Sequence, residues 1–477
     1  MPDSKSKHEK VSFSIKAAYG TGSVADGIKN AVFNSFLLFY YTGVLGLSGS
    51  LAGTALFLAM CFDAISDPLV GYLSDHTRSR LGRRHPYMYA AVLPMAVSIY
   101  LLLAPPADLG QMGLFAWMTA LSISVRVALT LHMIPRNALV PELTHDYDER
   151  TSLVAAGYFM GWIGGLGLSQ IAWLLIIPAV DEGRMDPEAY RQIGMVAAIA
   201  SGSAILLSAA GMHREIPKLR RPQPVPIGFG PFLGEVRNAF SNHSFRMLMM
   251  GGIVISAAGN FQEVFQLYMG TYFWEFGDGD LARLSLFLGL AVLLATFGAR
   301  PLSQLSDKRK TALALASFLL LWGPMAILAR FAGLMPDNGS PLLLPLLVAH
   351  QAIAIVPLIG VSILLSSMFK DIIDEIELDS GLRQEGLIGA AIAFMLKGVA
   401  GLGNLLGGIA IDLIDFPTQA AAGTVDPSKV WWLGFVAGPG LTIVYVAGFF
   451  FLSRYDITRA RYAEIRKALD ARQGDLP

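Results

Sequence analysis

Apolar runs of about twenty residues recur along almost the whole chain, and that is the length a helix needs to cross the hydrocarbon core of a bilayer. Inside that core no water satisfies backbone N–H and C=O groups, so each run must be helical. The runs predict helices near 17–43, 49–76, 86–104, 113–140, 151–179 and 191–212. A second set falls near 243–273, 282–305, 311–332, 342–369, 384–412 and 430–453. Only 15% of the 477 residues are charged and 54% are hydrophobic, too little charge to keep a soluble domain of this size dispersed. The expectation is an all-α membrane protein of about twelve transmembrane helices. A formal net charge of zero gives no electrostatic reason to expect a nucleic-acid partner. The single cysteine, Cys61, has no partner for an internal disulfide. The polar start, Met1 to Lys16, lacks the apolar core of a signal peptide, so the first helix is expected to remain in the mature protein.

Loop charge sets the orientation. The 2–3 loop carries Arg78, Arg80, Arg83 and Arg84, the 8–9 loop Lys308, Arg309 and Lys310, and the middle stretch Arg214, Lys218, Arg220 and Arg221. Loops on the other side are short and more acidic, as at Asp181, Glu182 and Asp186. Basic loops stay cytoplasmic, which places both termini in the cytoplasm. The proline-rich stretch 213–242 separates an N-terminal bundle, 1–212, from a C-terminal bundle and tail, 243–477. Helix 2 ends in Leu73-Ser74-Asp75 and helix 8 in Leu305-Ser306-Asp307, each followed by basic residues. Two such six-helix bundles around a central cavity are the major facilitator fold.

The strongest local signal runs from Phe62 to Arg84. Asp63 and Asp67 are four residues apart and share one helical face. Carboxylates in a membrane span persist where they face a wet cavity, share a proton or ligate a cation. The alternative is a packing site held by serine and backbone contacts. Further on, Gly71, Asp75, Arg78, Gly82, Arg83 and Arg84 could form a latch at the helix 2–3 turn. Topology alone explains the arginines but not Asp75. Two acid–arginine stretches, 145–150 with Asp146 and Arg150 and 371–383 with Asp374 and Arg383, occupy matching places and are expected to be gating loops, or else solvated loops with local caps.

Six stretches together resemble one family. They are YGTGSVADG at 19–27, YYTGVLGLS at 40–48, FDAISDP at 62–68, IPRNALVPELTHDYDER at 134–150, KDIIDEIELDSGLRQEG at 370–386 and LKGVAGLG at 396–403. Over nearly its whole length the chain resembles the glycoside–pentoside–hexuronide:cation symporters, the melibiose permease-like branch of the major facilitator superfamily. The resemblance implies a cation site on Asp63 and Asp67, with Ser66 and the helix-4 hydroxyl Thr130 as further oxygens. It also implies a coupling lysine on helix 11, Lys397. Such oxygens suit sodium, and the carboxylates would equally carry a proton. Three departures qualify the resemblance. A helix-4 aspartate of the permease is Met133 here, and its galactoside-holding positions are Gly27, Asn137 and Tyr158. Ion selectivity therefore stays open, and melibiose does not carry over.

The solute site is read from the residues themselves. Helix 1 offers Asp26, Asn30 and Asn34 on one stripe with Lys29 beside it. Helix 4 adds Arg126, Arg136 and Asn137, helix 5 adds Tyr158 and Trp162, and helix 7 adds Asn260, Glu263 and Gln266. Amides, aromatic rings and arginines suit a hydroxylated or carboxylated solute, with the two arginines pointing to an anionic sugar such as a uronide. Each polar group would equally serve an interhelical hydrogen bond. No phosphate loop, zinc-ligand spacing or nucleophile elbow occurs, so neither an enzyme nor a cofactor beyond a coupling Na+ or H+ is expected. The sequence thus predicts a monomeric symporter of a sugar, glycoside or uronide working by alternating access in a bacterial inner membrane. The alternatives are a carrier of lysolipids or other amphiphiles, which needs an apolar lateral slot, and a non-transporting sensor, which predicts an eroded cation site.

Overall fold

The computed structural model describes residues 11–144, 146–218, 240–298, 307–380 and 385–474, and every regular element among them is helical. In chain order they are α1 (Phe13–Ala31, continued by π-helical turns at Val32–Leu37 and Tyr40–Val44), α2 (Gly49–His76), α3 (His85–Leu102), α4 (Gln111–Asn137), α5 (Tyr147–Ile171) and α6 (Pro187–Met212). The second series is α7 (His243–Tyr268), α8 (Asp278–Gly298), α9 (Lys308–Trp322, resumed at Met325–Phe331), α10 (Leu343–Ser380), α11 (Glu385–Leu413) and α12 (Pro427–Phe435, running on to Ser453). A thirteenth helix, α13 (Arg459–Gly474), follows. Ten of the described helices are long and apolar enough to cross a membrane. Of the other two long helices, α1 is more polar and carries Lys16, Asp26 and Lys29, while α8 is apolar after Arg283. Arg220, Arg221, Leu305, Ser306 and Arg383, all singled out in the sequence, lie outside the described residues.

The chain forms two compact units, Met1–Val225 with Pro417–Gln419, and Pro226–Phe416 with Ala420–Pro477. In the first, α1 packs along α5 and α6, α4 along α2 and α3, and α3 along α6. In the second, α7 packs along α11 and α12, α10 along α8 and α9, and α9 along α12. The pairings repeat with an offset of six helices. Glycine makes the tightest pair possible in each. A Cβ on Gly27 would strike the carbonyl of Gly161, and one on Gly403 would strike the carbonyl of Ala257. Only glycine lets helix backbones approach that closely.

The C-terminal ends of α1 and α7 also repeat. Leu45 N and Leu47 N donate to the carbonyls of Tyr40 and Tyr41, at 2.9 and 2.8 Å. Trp274 N and Phe276 N donate to those of Met269 and Gly270, again at 2.9 and 2.8 Å. Both ends therefore close in wide π turns, at Tyr40–Val44 and Met269–Phe273.

Two acid-rich stretches expected as loops are helical. Residues 371–380 extend α10 to 38 residues, and 147–150 form the first turn of α5. Outside the hydrocarbon a helix tolerates charge freely, so a loss of hydropathy marks the membrane edge rather than the helix end. The tail helix α13 buries Ile465 and Leu469 in a cluster with Phe245, Met368, Ile372 and Tyr455.

Candidate cation site

Asp63 and Asp67 lie one helical turn apart on α2, just before Pro68, and face α4. Thr130 on α4 stands between them. Its hydroxyl oxygen is 3.2 Å from Asp63 Oδ1 and 2.9 Å from Asp67 Oδ1. A hydroxyl has one proton and can donate fully to only one of the two carboxylates. The second contact is relieved when that carboxyl is protonated and donates back, or when a cation sits among the three oxygens. Asp63 is 9% exposed, Thr130 4%, and Asp67 is half-buried. The Ser66 hydroxyl donates to the carbonyl of Asp63 at 3.1 Å.

The structure places Arg126 at this site. Its Nη1 donates to Asp63 Oδ2 at 3.4 Å, and its guanidinium lies 5.0 Å from the centre of the Phe33 ring on α1. Beside it, Lys29 pairs with Asp26 at 3.4 Å and donates to Asn30 Oδ1 at 2.5 Å, and Asn30 donates to Asp26. Lys29 and Arg126 both lie in the electrostatic field of Asp26 and Asp63. Among the described residues no three His, Cys, Asp or Glu side chains gather as a metal-ion site would.

Arg136, the other arginine of α4, belongs to a separate knot. It is 2% exposed and donates to Tyr19 O at 3.2 Å, Ser23 Oγ at 2.8 Å and Asn137 Oδ1 at 3.2 Å. Tyr19 also donates to Asn137 Oδ1 at 3.2 Å. These bonds join α1 to α4. Asn34 on α1 and Tyr158 and Trp162 on α5 are exposed. In the second unit Gln266 is exposed, Glu263 and Lys397 are half-buried, and Asn260 donates to the carbonyl of Ser256 one turn back.

The expected latch at the α2–α3 turn is centred on a residue the sequence reading passed over. Glu142, just past α4, accepts from Arg83 Nη2 at 2.5 Å, Arg84 Nη2 at 2.7 Å and Arg84 Nε at 2.9 Å. Asp75 adds 3.2 Å to Arg84 and 3.8 Å to Arg83. Its place in the motif Pro141-Glu142-Leu143 at the end of a membrane helix was the signal available. Gly71 packs against Ile134 of α4, and Arg78 is exposed. Asp146 caps α5 by accepting from Glu149 N, and Arg150 donates to the carbonyl of Thr144. In the second unit Lys308 donates to both oxygens of Asp371, at 2.7 and 2.8 Å. Next to it Asp374 accepts from Tyr462 of α13 at 2.9 Å and lies 3.5 Å from Arg466.

Known proteins share both the sequence pattern and the fold. The profile of the MFS/sugar transport proteins matches residues 18–459. The chain is 27% identical to an uncharacterized symporter of Synechocystis sp. over 98% of both chains. It is 24% identical to the isoprimeverose transporter of Lactiplantibacillus pentosus, over 84% of this chain and 80% of that one. Among solved structures, it superposes on the xylose transporter XylE of E. coli, in a partially occluded inward-open conformation, with a TM-score of 0.58. That match has 15% sequence identity and covers 94% of this chain and 98% of the other.

Proposed function

We propose that this chain, which belongs to the MFS/sugar transport protein family, couples the inward flow of one monovalent cation, Na+ or H+, to uptake of a carbohydrate. It is a membrane-spanning secondary transporter of the glycoside–pentoside–hexuronide type and not an enzyme. The observation that carries the coupling is the three-oxygen cradle of Asp63, Asp67 and Thr130, in which one hydroxyl stands within 3.2 Å of both carboxylates. A cation bound there and a solute bound elsewhere stabilise the same conformation, so each raises the other's affinity. Alternating access then delivers both to the other side of the membrane. The isoprimeverose transporter among its relatives supports a glycoside as cargo. The arginine-rich α2–α3 turn supports a cytoplasmic location for that end of the molecule and for both termini.

The test is uptake of mono-, di- and uronic sugars into proteoliposomes under a sodium gradient, a proton gradient, or neither. Asp63→Asn and Asp67→Asn should each cut gradient-driven accumulation by roughly a hundredfold or more while the protein still inserts and purifies. Wild-type accumulation by both variants would sink the assignment of the site.

A further inference from the structure

Where α1, α4 and α6 meet inside the first unit, His132 on α4 and Ser208 on α6 are both 0% exposed. Neither ring nitrogen of His132 nor the Ser208 hydroxyl has a hydrogen-bond partner among the described residues. Both groups reach one spot against α1. A Cβ placed on Gly22 would lie 2.5 Å from His132 Nε2, 2.6 Å from Ser208 Oγ and 2.9 Å from Arg136 Nη1. We infer that His132 and Ser208 hold an internal water molecule against Gly22, and that this water ties α4 to α6 where α1 passes between them.

Three arguments select water. First, a polar group buried without a bond is costly, most of all in a membrane span where bulk water is out of reach. Second, the ligand must both give and accept hydrogen bonds. A neutral imidazole has one donor and one acceptor nitrogen, and a hydroxyl plays both parts, so water fits either tautomer of the ring. Third, the spot is small and polar on several sides. Three side-chain atoms stand within 2.9 Å of one point beside a helix backbone, which suits a ligand of water's size with two or more polar partners. Arg136 plays a different part from the other two. Its Nη1 already donates to Tyr19 O and Ser23 Oγ, so what it adds is a positive charge that orients the water dipole. Gly22 lets α1 pass because it has no side chain to fill the spot. The water site stands independently of the cation site on α2.

Two measurements on the purified full-length protein test this. X-ray radiolysis makes hydroxyl radicals from water in place, so it labels side chains that touch bound water even where bulk solvent does not reach. His132 should be labelled at no less than about a tenth of the rate of the exposed His243, and Ser208→Ala should cut that rate roughly fivefold. Protection of His132 in wild type, or a rate that Ser208→Ala leaves unchanged, overturns the inference. Thermal unfolding of Ser208→Ala, His132→Phe and the double variant then gives a cycle. With a bridging water, Ser208→Ala lowers Tm by about 2 °C, and the two changes are not additive. In a dry seam the same change removes an unsatisfied hydroxyl, so Tm rises or stays and the changes add, which overturns the inference. If His132→Phe does not purify, the labelling of wild type and Ser208→Ala decides alone. Stabilisation of wild type by chloride over gluconate, lost in Ser208→Ala, would make the occupant a halide anion and overturn the inference as well.

Discussion

In the first unit α2 carries Asp63 and Asp67 within its span, and α4 answers with Thr130 and Arg126. In the second unit the helices that make the corresponding pair are α8 and α10. Neither α8 from Leu284 to Gly298 nor α10 from Gln351 to Phe369 contains a charged residue. Elsewhere the units agree closely: glycine-mediated contact of α1 with α5 and of α7 with α11, π turns with the same hydrogen bonds, and a cation–carboxylate cluster at the end of α4 or α10. What repeats is scaffold, namely helix spacing, turn closure and end latches. What does not repeat is the charged site, which α2 and α4 carry and the corresponding stretches of α8 and α10 do not.

The shared scaffold gives the largest expected effect. Gly27→Val and Gly403→Val each force a side chain into the backbone of the partner helix, Gly161 in one unit and Ala257 in the other. Overpacking against backbone costs about 3 kcal/mol or more, because no rotamer change relieves it. Both variants should lose most folded protein, judged by size-exclusion yield and thermal stability in detergent. Gly167→Ala and Gly398→Ala, whose Cβ atoms meet nothing within 4 Å among the described residues, should behave as wild type. Tolerance of valine at one of the two tight positions would break the symmetry between units.

These glycines also mark how far the sequence could be read. The sequence clusters glycines at 161–167 and 398–408, and within those clusters Gly161, Gly164 and Gly403 make close helix contacts. The spans were legible because hydropathy is dictated by the bilayer, whereas the ends of α10 and α5 were not, because nothing dictates where a helix stops in water. The tail helix escaped for a similar reason: polar overall, it buries only a few apolar residues such as Ile465 and Leu469. At the candidate site, spacing put Asp63 and Asp67 on one face, and the family resemblance added Thr130. The partner of Arg126 was not readable, because an arginine on α4 can turn toward a solute cavity or toward α2, and only packing decides. Arg136, four residues before Val140, shows the other outcome by turning to Tyr19 and Ser23 of α1.

The end latches give the next effect, and here the units should differ. Glu142→Gln leaves Arg83 and Arg84 facing each other with only Asp75, which is 48% exposed. Arg84 is 7% exposed and cannot reach water without moving. Stranding a buried charge costs up to about 3–5 kcal/mol, and partial exposure of the group brings this nearer to about 2. Asp371→Asn strands Lys308, but that side chain is 35% exposed and can turn outward, so a loss of about 1 kcal/mol is expected. Thermal unfolding of the two variants in parallel checks the order. Equal losses would mean that exposure of the stranded cation does not set the cost.

The smallest effect concerns a contact with no described counterpart in the first unit. Tyr462 of α13 donates to Asp374, and partial burial together with that carboxylate pushes its hydroxyl up to about 12 from an ordinary value of 10.0. A raised value means the folded state favours the protonated phenol. Its contribution is therefore complete below about pH 10 and fades as pH rises toward 12. Tyr462→Phe should weaken docking of α13 by about 1 kcal/mol at neutral pH, the worth of one hydrogen bond. Anisotropy of a fluorophore attached to α13, followed across pH 8–12, separates the contributions. Wild type should loosen with a midpoint between 10 and 12, while the phenylalanine variant should start looser and lose that step. A step that persists without the phenol would assign alkaline release to the lysines and arginines of the tail instead, and Asp374 would then be held chiefly by Arg466.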